Sequence, residues 1–163
     1  MHIDTMRHID KRLGIPLCFL MSTAMRIARF FRSTPKTVPD VGRTLFIELS
    51  EMGSAILADS AMRKLREKSG SELYFVIFQQ NAESLELLRT IPTANIFCLR
   101  THNFRVLAID VFRFMRWCWK KKITTVIDLE LYSRFTALVS VLSGSKFRVG
   151  FDAHFDEGFY RGH

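Results

Sequence analysis

The fold of this chain is decided by Thr44-Leu-Phe-Ile-Glu-Leu-Ser-Glu-Met-Gly-Ser-Ala-Ile-Leu-Ala-Asp-Ser-Ala-Met-Arg-Lys-Leu-Arg-Glu-Lys68. A short apolar run, Leu45 to Leu49, meets Ser50-Glu51-Met52-Gly53-Ser54. A segment of helical period follows, with Ala55, Ile56, Ala58, Met62 and Leu65 on its apolar face. The order is strand, tight loop, helix, which opens a parallel α/β sheet. Gly53 is expected to let the backbone turn sharply, and Ser54 to cap the helix with its hydroxyl. A helix start at the carboxyl end of a strand is where open α/β sheets hold anionic ligands.

Downstream the same alternation repeats. Ser69-Gly70-Ser71 reads as a turn, and Glu72 to Phe78 as a strand covered on both faces. Asn81 is placed to cap a short helix over 82–91, which Pro92 ends. Asn95 to Leu99 reads as a third strand, and Phe104 to Lys122 as a long helix. The apolar positions of that helix include Val106, Leu107, Ile109, Val111, Phe112, Phe114, Met115 and Trp117, and Trp119-Lys-Lys-Lys122 sets cations at its negative pole. Ile123 to Leu129 and Lys146 to Phe151 read as the fourth and fifth strands, with a helix over 131–142 and Gly144 as its closing glycine. The expected architecture is a Rossmann-like, doubly wound parallel sheet over 44–163, behind an extension and linker over 1–43.

Composition and charge narrow the function classes. With 48% apolar and 25% charged residues the chain is globular, and 163 residues suit one well-buried domain. Of the net charge of +8, residues 1–43 carry +5, from eight Lys/Arg against three Asp/Glu. The basicity lies in the extension and not in a groove on the body, and neither a basic-aromatic strand pattern nor a recognition helix is present. Nucleic acid is therefore not an expected partner. Cys18, Cys98 and Cys118 have no metal-type spacing; reduced, buried thiols in a cytosolic protein are the expectation, and no metal site is expected.

Within the extension, Arg26, Arg29 and Arg32 share one flank of a helical pattern whose apolar side includes Phe30 and Phe31. The uncharged part, 15–25, is too short to span a bilayer. Two readings stand: a basic amphipathic helix lying on an anionic membrane surface, or a helix packed on the domain's own sheet or on a partner domain. Ser33 to Arg43, with Pro35 and Pro39, is a linker.

Three pieces, in order and spacing, resemble glycosyltransferase family nine, the lipopolysaccharide heptosyltransferases and their relatives. They are Phe46-Ile-Glu-Leu-Ser-Glu-Met-Gly53 running into Ala61-Met-Arg-Lys-Leu65; Thr125-Val-Ile-Asp-Leu129 with Ser133, Arg134 and Ala137; and Leu142-Ser-Gly-Ser-Lys-Phe-Arg-Val-Gly-Phe151 with Gly158-Phe-Tyr-Arg-Gly162. Ile9 to Phe19 is similar to a leader found on some of these proteins. The resemblance implies a GT-B architecture, with an acceptor-binding N-terminal domain and a C-terminal domain that binds a nucleotide sugar. Only the first is matched here. The expectation is a partial glycosyltransferase, not competent for catalysis by itself: the acceptor-binding half of an enzyme that acts on a lipopolysaccharide-type or other surface-glycan acceptor at the inner face of a bacterial cytoplasmic membrane. No cofactor is implied, and the nucleotide-sugar donor is expected only with a donor-binding domain, which could be a separate chain.

The resemblance also assigns roles. The family's aspartate base follows the Met-Gly of the first loop, and Ser54 stands in its place. A serine hydroxyl takes no proton at neutral pH without a base of its own. Glu51 in the same loop is either a substitute base or a carboxylate stabilised by the helix start. Ser50, Met52 and Gly53 are expected to line the acceptor site with it. Asp128 either meets the acceptor or caps the helix beyond it, and Tyr132, Ser133 and Arg134 follow at that helix start. Arg134 suits a phosphate or a sugar-acid carboxylate. The rival reading, from another class, is a non-catalytic membrane-associated module that holds a glycolipid or a protein.

Overall fold

A computed structural model describes Leu20, Thr23, residues 41–131 and residues 133–151. Arg26, Arg29, Phe30, Phe31 and Arg32, the linker up to residue 40, Cys18, Tyr132 and the Gly158–Gly162 piece lie outside the described residues. The elements run β1 (Arg43–Ile47), α1 (Met52–Ser69), β2 (Glu72–Phe78), α2 (Glu83–Leu88), β3 (Ile96–Leu99), α3 (Phe104–Lys121), β4 (Thr125–Asp128), α4 (Arg134–Leu142) and β5 (Phe147–Val149). Single 3₁₀ turns at Gln79–Asn81 and Thr93–Asn95 lead into α2 and β3.

The sheet is wholly parallel, in the order β3-β2-β1-β4-β5. This is the doubly wound arrangement the alternation predicts. β1 is central, paired with β2 from Arg43–Glu72 to Ile47–Val76, and with β4 from Thr44–Thr125 to Ile47–Asp128. Strand residues alternate between two cores, as a pleat of period two requires. Leu45, Ile47, Tyr74 and Val76 face Leu107, Phe114 and Cys118 of α3 and Val139 of α4. Phe46, Leu73, Phe75 and Ile77 face Ala55 and Met62 of α1 and Leu85 of α2. An aromatic cluster anchors α3: Trp117 meets Tyr74 edge-on at 5.6 Å, and Phe114 meets Phe97 at 5.5 Å.

Polar ties hold the helices in place. Arg100 donates two guanidinium hydrogen bonds, of 2.8 and 2.7 Å, to the buried Asp110 of α3. That guanidinium holds the Asp110 carboxyl below the ordinary carboxylate range. Gly70 and Gly144 end α1 and follow α4 with φ of 65° and 75°, the left-handed conformation that glycine adopts without a Cβ clash.

Several local expectations are corrected. α1 begins at Met52 with Glu51 in the N-cap position, so Gly53 sits in the first helical turn with no positive φ, and Ser54 is inside the helix instead of capping it. Asn81 does not cap α2, which starts from Ala82; its side chain is drawn instead to the carbonyls of the β1–α1 loop. Cys98 is exposed because β3 is an edge strand, whereas Cys118 is buried and its thiol is pushed far up by burial. Ile56 of α1 and Ile109 and Phe112 of α3 point outward, as only one stripe of each helix meets the sheet.

Phe114 is fully buried between the aromatic cluster and the sheet. Phe114→Ala is expected to cost about 3–5 kcal/mol in unfolding free energy, measured by urea denaturation. A loss below about 1 kcal/mol would mean that α3 does not pack as described.

Candidate functional site

Reversal of strand order at β1 and β4 opens a crevice at the carboxyl ends of these strands, where open α/β sheets bind ligands. Two loops meet there: residues 48–51 after β1 and, after β4, residues 129–131 and Ser133. The Leu129 amide donates to the Ile47 carbonyl at 2.9 Å, carrying the strand pairing into the second loop. Beyond it, one Glu130 oxygen accepts from the Leu49 amide at 3.0 Å and the Ser50 amide at 3.3 Å, and the other accepts the Ser50 hydroxyl. From the β2 side, the Asn81 amide donates to the carbonyls of Leu49 and Ser50 at 2.9 and 3.0 Å. The β1–α1 loop is thus held from both flanks.

Beneath this loop lies Glu48, 2% exposed. Its Oε1 accepts the Glu51 amide at 3.3 Å, and its carboxyl also hydrogen-bonds the Glu130 carboxyl. Burial, then the Glu130 hydrogen bond and charge, push the Glu48 carboxyl up to about 8. Glu48 therefore keeps its proton at neutral pH and donates it within the pair, so the two carboxyls adjoin without full repulsion. Glu48, Asn81 in this role, and Glu130 are missing from the candidates drawn from sequence. A charged residue ending an otherwise apolar strand run is the signal that points to Glu48.

The sequence candidates fall around this clasp. Ser54 donates to Glu51 Oε2 at 3.2 Å, one helical turn along and on the exposed side of the loop. Ser50 and Met52 are exposed, and a Cβ added at Gly53 would meet nothing within 4 Å, so the start of α1 is open. No side chain caps the first amides of α1. Asp128 is 2% exposed and accepts the Glu130 amide at 3.1 Å, so it shapes the loop that carries Glu130. Capping of α4 falls to Ser133, which accepts the Thr136 amide at 3.3 Å, and Arg134 opens that helix. Asp59 turns away and is bound by Arg63 at 2.7 Å and by the Thr90 hydroxyl. Among the described residues, no three of His, Cys, Asp or Glu gather as metal ligands. A separate cavity of about 580 Å³, lined by Leu85, Glu86, Arg89 and Ile96 among others, lies by α2 and the start of β3, away from these loops.

A solved glycosyl transferase family 9 structure from Veillonella parvula DSM 2008 superposes on this chain with a TM-score of 0.58. The fold is the same. Sequence identity is 18%, over 71% of this chain and 34% of the family 9 protein. The chain thus matches about a third of that protein's length. No family model matches the sequence, and no curated protein is similar to it.

The protonated Glu48 makes stability depend on pH. Its folded pKa of about 8 lies above the ordinary glutamate value of about 4.3, so the folded state holds a proton that the unfolded chain has released between these values. The contribution is fully present below the lower value and is lost as pH rises through about 8. The melting temperature is expected to fall by a few degrees between pH 6 and pH 9, and Glu48→Gln should flatten that fall. An equal fall in Glu48→Gln would remove Glu48 as its source.

Proposed function

We propose that this chain is the acceptor-side domain of a glycosyltransferase of the family-nine type. The observation that carries the reading is the crevice at the β1–β4 reversal, where the Glu51 carboxylate lies 3.2 Å from Ser54 at the open start of α1. The substrate class is a saccharide or glycolipid acceptor of the lipopolysaccharide or surface-glycan kind. The donor is a nucleotide sugar held by a donor-binding domain facing the crevice. In this reading Glu51 removes the proton of the acceptor hydroxyl as its oxygen bonds to the anomeric carbon of the donor. The bond from that carbon to the nucleotide diphosphate breaks, and the diphosphate leaves with the electron pair. Ser54 orients the Glu51 carboxylate. Ser50, Met52 and Gly53 form the floor, with Ser133 and Arg134 on the opposite wall and the buried Asp128 holding the Glu130 loop behind it. Arg134 would meet a phosphate or acid group of the acceptor. Glu130, with protonated Glu48 beneath it, positions the loop without touching the reacting atoms.

No described helix is long and apolar enough to cross a membrane. The accompanying reading is peripheral attachment to the inner face of a bacterial cytoplasmic membrane, with Arg26, Arg29, Phe30, Phe31 and Arg32 of the extension in contact with anionic lipid. A second reading, a non-catalytic module that holds a glycolipid or a protein, is favoured by one observation. Ser54 stands where the family's base would be.

The test is glycosyl transfer in the presence of a donor-binding domain and a nucleotide sugar. Glu51→Gln is expected to lower kcat by about 10²–10⁴-fold with little change in KM, because it removes the base and keeps the shape. Ser54→Ala is expected to cost far less. If Glu51→Gln leaves turnover unchanged while Ser54→Asp creates it, Glu51 is not the base. If no variant and no donor domain gives transfer, the non-catalytic module is the correct reading.

A further inference from the structure

We propose that the outward face of α3 is a docking surface for an anionic lipid bilayer. The helix buries one stripe, Leu107, Asp110, Phe114 and Cys118, against the sheet. The opposite side carries a second stripe of helical spacing: Arg105, Ile109, Phe112, Arg116 and Trp119. Ile109, Phe112 and Trp119 are 57%, 62% and 59% exposed. At 1.5 Å per residue the stripe is about 21 Å long. Arg113 and Lys120 flank it, and both are exposed. Asp110, the single acid of α3, is buried and bound by Arg100, so the outward face presents only cations.

The interleaving of arginines with apolar side chains identifies the occupant. In a protein interface, Arg116, which lies inside the stripe between Phe112 and Trp119, would be desolvated and would require an acidic partner. At a bilayer surface the same arrangement is favourable. Phe112, Ile109 and Trp119 enter the acyl boundary, and the arginine stems lie along it with their guanidinium groups among lipid phosphates. The field of an anionic leaflet matches the sign of the whole face. The first turn of α3 follows the carboxyl end of β3, so Phe104, 57% exposed, brings one end of the face to the sheet edge that holds the crevice. This surface is distinct from the amphipathic segment of the extension, and it does not depend on the glycosyltransferase reading.

The chain contains two tryptophans, Trp117 and Trp119, and residues 1–43 contain none. Tryptophan fluorescence therefore reports α3 and not the extension. The experiment mixes the full chain carrying Trp117→Phe with vesicles of phosphatidylcholine and phosphatidylglycerol, some with brominated acyl chains. A blue shift and bromine quenching of Trp119, both weakening with salt, are the expected result. Arg105→Gln with Arg116→Gln should reduce the partition coefficient roughly tenfold or more, and Phe112→Ser should reduce quenching while leaving the melting temperature unchanged. Vesicle binding without Trp119 quenching would mean attachment through the extension alone and would overturn the proposal. Equal quenching with pure phosphatidylcholine would overturn the anionic requirement. Fluorescence changes with a single-stranded oligonucleotide and none with vesicles would reassign the face to nucleic acid.

Discussion

The central position of β1 is the constraint on which this structure rests. Its backbone is bonded along both edges, to β2 and to β4, and its side chains enter both cores. Between Leu45 and Ile47 such a strand carries only apolar side chains, and the buried Thr44 before them satisfies its hydroxyl on the Val41 carbonyl. Its polar residues collect where the strand ends, at Glu48, Ser50 and Glu51. Since β1 and β4 end in register at Ile47 and Asp128, the loops that follow emerge side by side. The crevice is a direct consequence of the pairing.

Within the crevice, burial and charge act in opposition. A carboxyl as enclosed as Glu48 is costly to ionise, and the adjacent Glu130 charge raises that cost further. Retaining a proton resolves both problems and turns a repulsive pair into a hydrogen bond. Glu130 can then accept the Leu49 and Ser50 amides, and the loop takes one shape. Asn81 reinforces that shape from the β2 side by donating to the carbonyls of the same two residues. The exposed Glu51–Ser54 pair stands on a loop whose backbone is held on both the amide and the carbonyl side. Such support from below is what a group needs if it is to meet a ligand in a fixed position.

The two sides of α3 show how one helix can satisfy a core and still present a surface. Phe114 and Cys118 are fully enclosed, while Phe112 and Trp119 stand more than half exposed on the same helix. The cost of that exposure is lowest where the apolar groups alternate with cations, as they do here.

The sequence alone determined the class of fold. Apolar runs of strand length alternating with helical periods dictate a parallel sheet, and among the described residues each of the five strands and four α-helices is found within a few residues of its expected place. It also marked the junction after β1, since the change from strand period to helical period falls there, although the helix begins at Met52 and takes in Gly53 and Ser54. Only the tertiary structure decided which polar side chains meet. Glu48 and Glu130 are 82 positions apart along the chain, and Asn81 is 33 from Glu48, so no local spacing relates them. Periodicity likewise could not assign Ile109 and Phe112 to the outside, because a helix with apolar residues on several sides has more than one stripe to bury. The sheet accepts one stripe, and the residues that fit it, Leu107, Phe114 and Cys118, are selected by contacts with strands that the helix sequence does not contain.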